Sequence, residues 1–364
     1  PVGSQISQSL VEVAKSWYDK ARNRIDVNYA LGSYYFQTRR YFTEDVFEAV
    51  TRARMTRSGI IDEAAQARER RSQILQNGKL VILAADHPAR NVTSVGDDPT
   101  RMGDRLDYLG RIVRVMGTSH IDGIMATTDI IEDLLIIDYL RKEKGLPGFL
   151  DNKVLIGSMN RSGLAGVKYE MEDRMTSFTP ERMKELNMEG AKVLFRLETG
   201  QYSRYSIQTM DYCAKAITRC RAYGLPVFLE PLPVEPTDTG YRVINDPDAM
   251  IKMIGIASAM GDSSRDLWLK IPYVPEFYRV AQATTLPILL LGGPSSGDPT
   301  QMLQDFERGI GEGNNVVGAM VGRNVLYPGK DDPRAVANAV YRICHEEMRT
   351  EEAVALIRQE RGQN

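Results

Sequence analysis

Histidine and cysteine are scarce in this chain, with three of each among 364 residues. Cys213, Cys220 and Cys344 form no even disulfide framework, which points to a reducing compartment. Cys213 and Cys220 sit in a helical pattern and read as packed rather than reactive. The histidines are His87, His120 and His345, and no HxxxH or CxxC spacing occurs. That excludes the usual ligand set of a catalytic zinc site, so neither a metal nor another cofactor is expected. No apolar run is long enough to span a bilayer, and no basic-then-apolar leader opens the sequence. A cytoplasmic protein with no membrane partner is expected. Charge of one sign is also missing: 46 Lys and Arg face 48 Asp and Glu, a formal net charge of −2. Nucleic acid as the main partner is thereby disfavoured, because neutralising phosphates needs a basic surface. What remains is 43% hydrophobic and 26% charged, the balance of a soluble globular protein.

Residues 1–78 differ in pattern from the rest of the chain. Leu10–Arg22, Thr43–Ala53 and Gly59–Gln76 carry helical periodicity and abundant charge, which predicts a helical N-terminal extension. Its tyrosine-rich stretch, Tyr29–Tyr41, is suited to packing on the rest of the chain or on another subunit. From Lys79 onward short apolar runs alternate with charged helical stretches. The runs are Leu80–Ala85, Gly123–Thr127, Val154–Ser158, Lys192–Leu197, Pro226–Glu230, Leu267–Ile271, Pro287–Leu291 and Val316–Val321. Helical patterns lie between them, among them Arg101–Met116, Pro180–Met188, Pro275–Thr284 and Thr300–Gly311. Strands each followed by a helix predict an α/β fold, a (β/α)₈ TIM barrel spanning 79–350, with a helical tail over 351–364. An open doubly wound sheet is the alternative, but Asp86-His87-Pro88 follows the first strand where that fold would place a glycine fingerprint.

Catalytic groups of such barrels sit at the C-terminal ends of the strands. The first strand ends in Asp86-His87, the second in Thr127-Thr128 and the third in Ser158-Met159-Asn160. The fourth carries Lys192, Leu194, Arg196 and Glu198 on one face by period two. The fifth ends in Glu230 and the sixth in Lys270. A buried lysine needs a partner or a use, and desolvation favours its neutral, nucleophilic form. The alternative is a lysine that ends its strand and snorkels to water. Lys270 and Glu230 end adjacent strands, about 4.8 Å apart, so an amine and a carboxyl can reach the same atoms. That is the minimum kit for Schiff-base chemistry, unless the two form only a structural ion pair. Asp86 supplies a second acid or holds a hydroxyl. Positive charge from Lys192 or Arg196 would lower the pKa of Lys270. The seventh strand runs into Gly292-Gly293-Pro294 and the eighth into Gly322-Arg323-Asn324. Two glycine turns in those places match the phosphate site of this fold, with Arg323 as a charged donor.

Leu290-Leu-Gly-Gly-Pro294 followed by Gly318-Ala-Met-Val-Gly-Arg-Asn324 resembles the class I aldolases of the archaeal fructose-bisphosphate aldolase type. Asp86-His87 resembles their first-strand Asp-His, and Lys270 falls where that family places its Schiff-base lysine. Phe228-Leu-Glu-Pro231 and Lys192 are more similar to the related tagatose-bisphosphate aldolases, whose glutamate is the proton shuttle. The resemblance covers about residues 79–347. A large helical extension looks like that of an actinobacterial aldolase-like group associated with inositol catabolism.

The resemblance implies a metal-independent class I aldolase acting on a phosphorylated ketose and releasing a triose phosphate such as dihydroxyacetone phosphate. Lys270, Glu230 and Asp86 would be catalytic. His87, Lys192, Arg196, Gly292, Gly293, Gly322 and Arg323 would bind substrate. A homo-oligomer is expected. A sugar-phosphate isomerase or epimerase with Glu230 as base, or a non-catalytic sugar-phosphate-binding barrel, are the other readings.

Overall fold

The computed structural model describes Tyr29, residues 33–201 and residues 203–363. The expected helix over Leu10–Arg22 lies outside the described residues. The strands are β1 (Leu80–Ala85), β2 (Gly123–Ala126), β3 (Val154–Ser158), β4 (Gly190–Leu197), β5 (Val227–Thr237), β6 (Gly240–Val243), β7 (Leu267–Pro272), β8 (Ile288–Leu291) and β9 (Val316–Val321). All but β6 pair in parallel, in the order β4-β3-β2-β1-β9-β8-β7-β5, and a β4–β5 pairing closes the ring. This is a TIM barrel, with helices between successive strands of the ring.

Period-two alternation sets the interior. Ala84, Met125, Ile156, Phe228 and Trp268 point inward and pack in one buried cluster. Each large apolar side chain so buried contributes about 1.5–3 kcal/mol. The next inward position on the same strands is Asp86, Thr127, Ser158, Glu230 and Lys270. The apolar filling thus lifts a polar tier to the C-terminal rim.

Three features depart from the sequence reading. First, β5 does not stop at Glu230 but runs on to Thr237 and folds back antiparallel on β6, pairing Val234 with Val243 and Thr237 with Gly240. Pro231, Pro233 and Pro236 do not stop it, because a proline gives up its N–H donor but keeps its carbonyl as an acceptor. Pro233 still accepts from the Ile244 amide at 2.9 Å. Second, the helix expected over Gly59–Gln76 spans only Ile60–Ala67. Beyond it the chain is extended at Arg68, whose guanidinium is buried against Glu189 at 2.7 Å. Arg71 then pairs with Asp122 at 2.9 Å. These ion pairs close the floor of the barrel, the end away from the polar tier. Asp122 also accepts from the Val81 amide at 2.7 Å and lies 2.7 Å from His345 Nε2. Third, the stretch predicted as helix over Pro275–Thr284 is helical only at Phe277–Ala281.

Helix Glu44–Thr56 docks on helix Thr128–Glu143, where Arg54 Nε donates to Asp133 at 2.8 Å. The aromatic residues Phe36, Tyr41 and Phe42 pack on the barrel. Phe36 and Phe42 are buried, Arg111 lies over the Phe36 ring at 5.1 Å and Arg114 over Tyr41 at 3.9 Å. No helix among the described residues is long and apolar enough to cross a membrane.

Candidate active site

A chain of alternating charges crosses the polar tier. Lys270 Nζ and Lys192 Nζ each lie 3.0 Å from the same oxygen, Glu230 Oε2. Lys192 also donates to Asp86 Oδ2 at 3.0 Å. Arg90 Nε approaches that Asp86 oxygen at 3.5 Å, and its Nη1 donates to Asp173 at 2.8 Å. Lys192, Asp86, Lys270 and Glu230 are all buried, at 2%, 4%, 6% and 9% exposure. Buried charges persist only when paired, and here each cation lies against at least one carboxylate. The strands explain the convergence. Glu230 and Lys270 sit on the paired strands β5 and β7, each two residues beyond the Phe228–Trp268 register pair. Lys192 faces the axis from β4 and reaches across to β1.

The electrostatics follow from this packing. Burial pushes the Lys270 amine down, the Lys192 charge adds to that, and Glu230 only partly opposes it. Burial raises Glu230, but Lys192 and Lys270 outweigh it and hold the carboxyl at about 2. Asp86 is likewise held well below the usual range, against its burial, by Lys192 and Arg90. His87 is pushed down to about 3, chiefly by burial, with Arg323, Lys270 and Lys192 adding to it against Asp86. Its ring is therefore neutral at physiological pH, and its buried Nδ1 has no hydrogen-bond partner.

The two glycine turns meet beside this tier. Asn324 Nδ2 donates to the carbonyls of Gly292 at 2.6 Å and Pro294 at 3.1 Å, fastening the turn after β8 to the turn after β9. Gly293 has φ +67, in the left-handed region. Gly322 is locked by crowding, since a Cβ there would lie 2.4 Å from His87 Cε1 and 2.5 Å from the Ala84 carbonyl. Arg323 comes next, and its Nε is buried without a partner. An orphaned guanidinium nitrogen beside two glycine turns is a natural anion seat.

Lys270, Glu230, Asp86, Lys192 and His87 are thus brought together, with Gly292, Gly293, Gly322 and Arg323 alongside. Arg196 is not. Its guanidinium bonds the Glu170 carboxylate at 2.5 Å, the Glu170 carbonyl at 2.6 Å and the Gly163 carbonyl at 3.2 Å. It anchors the loop after β3 instead of facing Lys270, because four residues beyond Lys192 along β4 it stands above the polar tier. Arg90 and Asn160 were missed as site residues. Arg90 ties Asp86 to Asp173 and donates to the Asn160 carbonyl. Asn160 exchanges side-chain bonds with the Leu194 backbone at 2.7 and 2.9 Å. The signal for Arg90 was its i,i+4 spacing from Asp86. Among the described residues no cluster of His, Cys, Asp and Glu is arranged to hold a metal ion.

Comparison with known proteins places the chain in a family. The Cgl0159-like family model matches residues 78–341. The crystal structure of Cgl0159 from Corynebacterium glutamicum is 33% identical, covering 84% of this chain and 99% of that one, with a TM-score of 0.77. The 2-amino-3,7-dideoxy-D-threo-hept-6-ulosonate synthase 1 of Archaeoglobus fulgidus is 23% identical over 288 residues, 79% of this chain and 94% of that protein. A Schiff-base-forming fructose-1,6-bisphosphate aldolase shares the fold at 20% identity and a TM-score of 0.51, over 78% of this chain and 100% of that one.

Proposed function

The chain belongs to the Cgl0159-like family, and from that premise we propose that it is a class I aldolase that cleaves or forms a C–C bond in a phosphorylated ketose. The observation that carries the reading is the buried Lys270 amine, pushed down in pKa and 3.0 Å from an ionised Glu230. The names of the Archaeoglobus synthase and the Schiff-base aldolase lie in the same direction.

In this mechanism the free Lys270 amine attacks the ketone carbonyl, and loss of water gives an iminium. Glu230 takes the proton of the C4 hydroxyl. The C3–C4 bond breaks, its electron pair moves to the cationic nitrogen as an enamine forms, and the aldehyde half leaves. A proton returns to C3 from Glu230 or water, and hydrolysis frees the triose phosphate, such as dihydroxyacetone phosphate, from Lys270. Lys192 holds Glu230 ionised and repels a proton from Lys270. Asp86 and the neutral His87 hold substrate hydroxyls. Gly292, Gly293, Gly322 and Arg323 seat the phosphate, which gives the orphaned Arg323 Nε its partner.

Borohydride trapping tests this. With dihydroxyacetone phosphate and borohydride, mass spectrometry finds a stable adduct on Lys270. Lys270→Ala and Lys270→Arg form no adduct and cleave no substrate, since a guanidinium stays protonated and cannot attack a carbonyl. Substantial cleavage by well-folded Lys270→Ala would remove the aldolase reading.

A further inference from the structure

One step beyond the reactive tier, the inner face of the barrel turns apolar on one side. Lys192 faces the axis, so Leu194 does too, by period two. Leu232 and Val234 follow Glu230 on its face of β5. Leu289 belongs to the interior cluster, so Leu291 faces inward from β8. Met171, Leu194, Leu232 and Val234 form one buried cluster, with Tyr241 and Leu291 among the side chains packed against it. The opposite side of the rim is polar, with Asp86, Thr127, Ser158 and Asn160. Ser158 Oγ is buried there without a hydrogen-bond partner. The cation on the apolar side, Arg196, is taken up by Glu170 and two carbonyls.

Resting on the aldolase reading above, we propose that the aldehyde half of the substrate is poor in hydroxyl groups and carries no second phosphate. It is an alkyl or deoxy aldehyde that lies against Leu194 and Leu232. The donor half turns its phosphate to the glycine turns, next to Leu291. A sugar hydroxyl against those leucines would give up its water partners for none in return. A methylene in the same place gains from leaving water. A second phosphate would meet a guanidinium already occupied. In the synthetic direction the enamine carbon on Lys270 bonds to the aldehyde carbon while the aldehyde oxygen takes a proton. Water then releases the ketone and restores the amine.

The test is the aldol addition of dihydroxyacetone phosphate to butanal, D-glyceraldehyde and D-glyceraldehyde 3-phosphate, comparing kcat/KM. Butanal is favoured at least tenfold over either hydroxylated aldehyde. Leu232→Asn narrows that ratio at least fivefold, and Leu194→Thr is the second variant should Leu232→Asn fail to melt cooperatively. Adduct formation at Lys270 with donor and borohydride, before any aldehyde is added, reports the aldolase reading separately. A trapped Lys270 with a butanal ratio below ten overturns this inference and leaves the aldolase standing. No adduct and no product with any aldehyde removes both.

Discussion

Lys192 is the residue whose loss reads out the electrostatics of the site most directly. Its ammonium lies 3.0 Å from both Asp86 and Glu230. Lys192→Met keeps most of the volume and removes the charge. A unit charge about 4 Å from another is worth about 4 kcal/mol at an effective dielectric of ~20. A pKa moves one unit for every ~1.4 kcal/mol. Water and neighbouring dipoles recover part of the loss, so each neighbour shifts by about 1–3 units. The sign is the same for both reacting groups. Glu230 loses a cation that favours its anion and rises from about 2. Lys270 loses a cation that disfavours its protonation and also rises. In the proposed mechanism Glu230 must be ionised and Lys270 free, so the limbs of the kcat/KM profile that report them both move toward alkaline pH. The assay is kcat/KM for cleavage from about pH 4 to about pH 10 for both proteins, with melting curves as a check on folding. An acid limb that stays in place, or limbs that move in opposite directions, would refute this account of the charge chain.

Glu230→Gln keeps the shape but cannot accept the hydroxyl proton, so steady-state cleavage falls by about 10²–10⁴. Borohydride trapping at Lys270 persists in part. Arg323→Ala weakens binding of phosphorylated substrate about ten- to a hundredfold, the worth of a charge-assisted bond, and hardly affects the unphosphorylated sugar; calorimetric titration with both sugars checks this. Asp122→Asn, on the barrel floor, lowers stability by about 2–4 kcal/mol in urea unfolding, because Arg71 loses its buried partner. Burial raises the Asp122 pKa, but bonds from His345, Val81 and Arg71 hold it below its ordinary value. Its contribution is therefore complete above the unfolded carboxylate value of about 3.9 and is lost as pH falls through the lower folded value. Stability measured down the acid range falls less steeply in the variant.

The barrel was legible because its signal is local. An apolar run bounded by charged stretches marks a buried parallel strand, and β1, β3 and β9 begin and end where the runs do. Lys270 and Glu230 were legible as a pair because they close adjacent strands. The role of Lys192 as the bridge to Asp86 was not, since 106 residues separate them and only ring closure brings them together. Arg196 shows the limit of face arguments. Alternation gives the side a residue faces but not the height at which it finds a partner, and Glu170 meets it above the tier. The β5–β6 hairpin was hidden by its prolines, because each removes one N–H donor while its carbonyl and its non-proline neighbours can still pair.

Strand β5 carries Glu230 and, two and four positions further along the same face, Leu232 and Val234 before it turns into the hairpin. In the proposed reaction, bond-making and substrate choice are therefore stacked on a single stretch of backbone, one above the other. For directed evolution this separates two tasks that many enzymes entangle. A library confined to Leu194, Leu232, Val234 and the β6 arm can search for new aldehyde partners while the lysine–glutamate pair beneath stays untouched. A hairpin of different length can be grafted beyond Thr237 without disturbing the register of the ring.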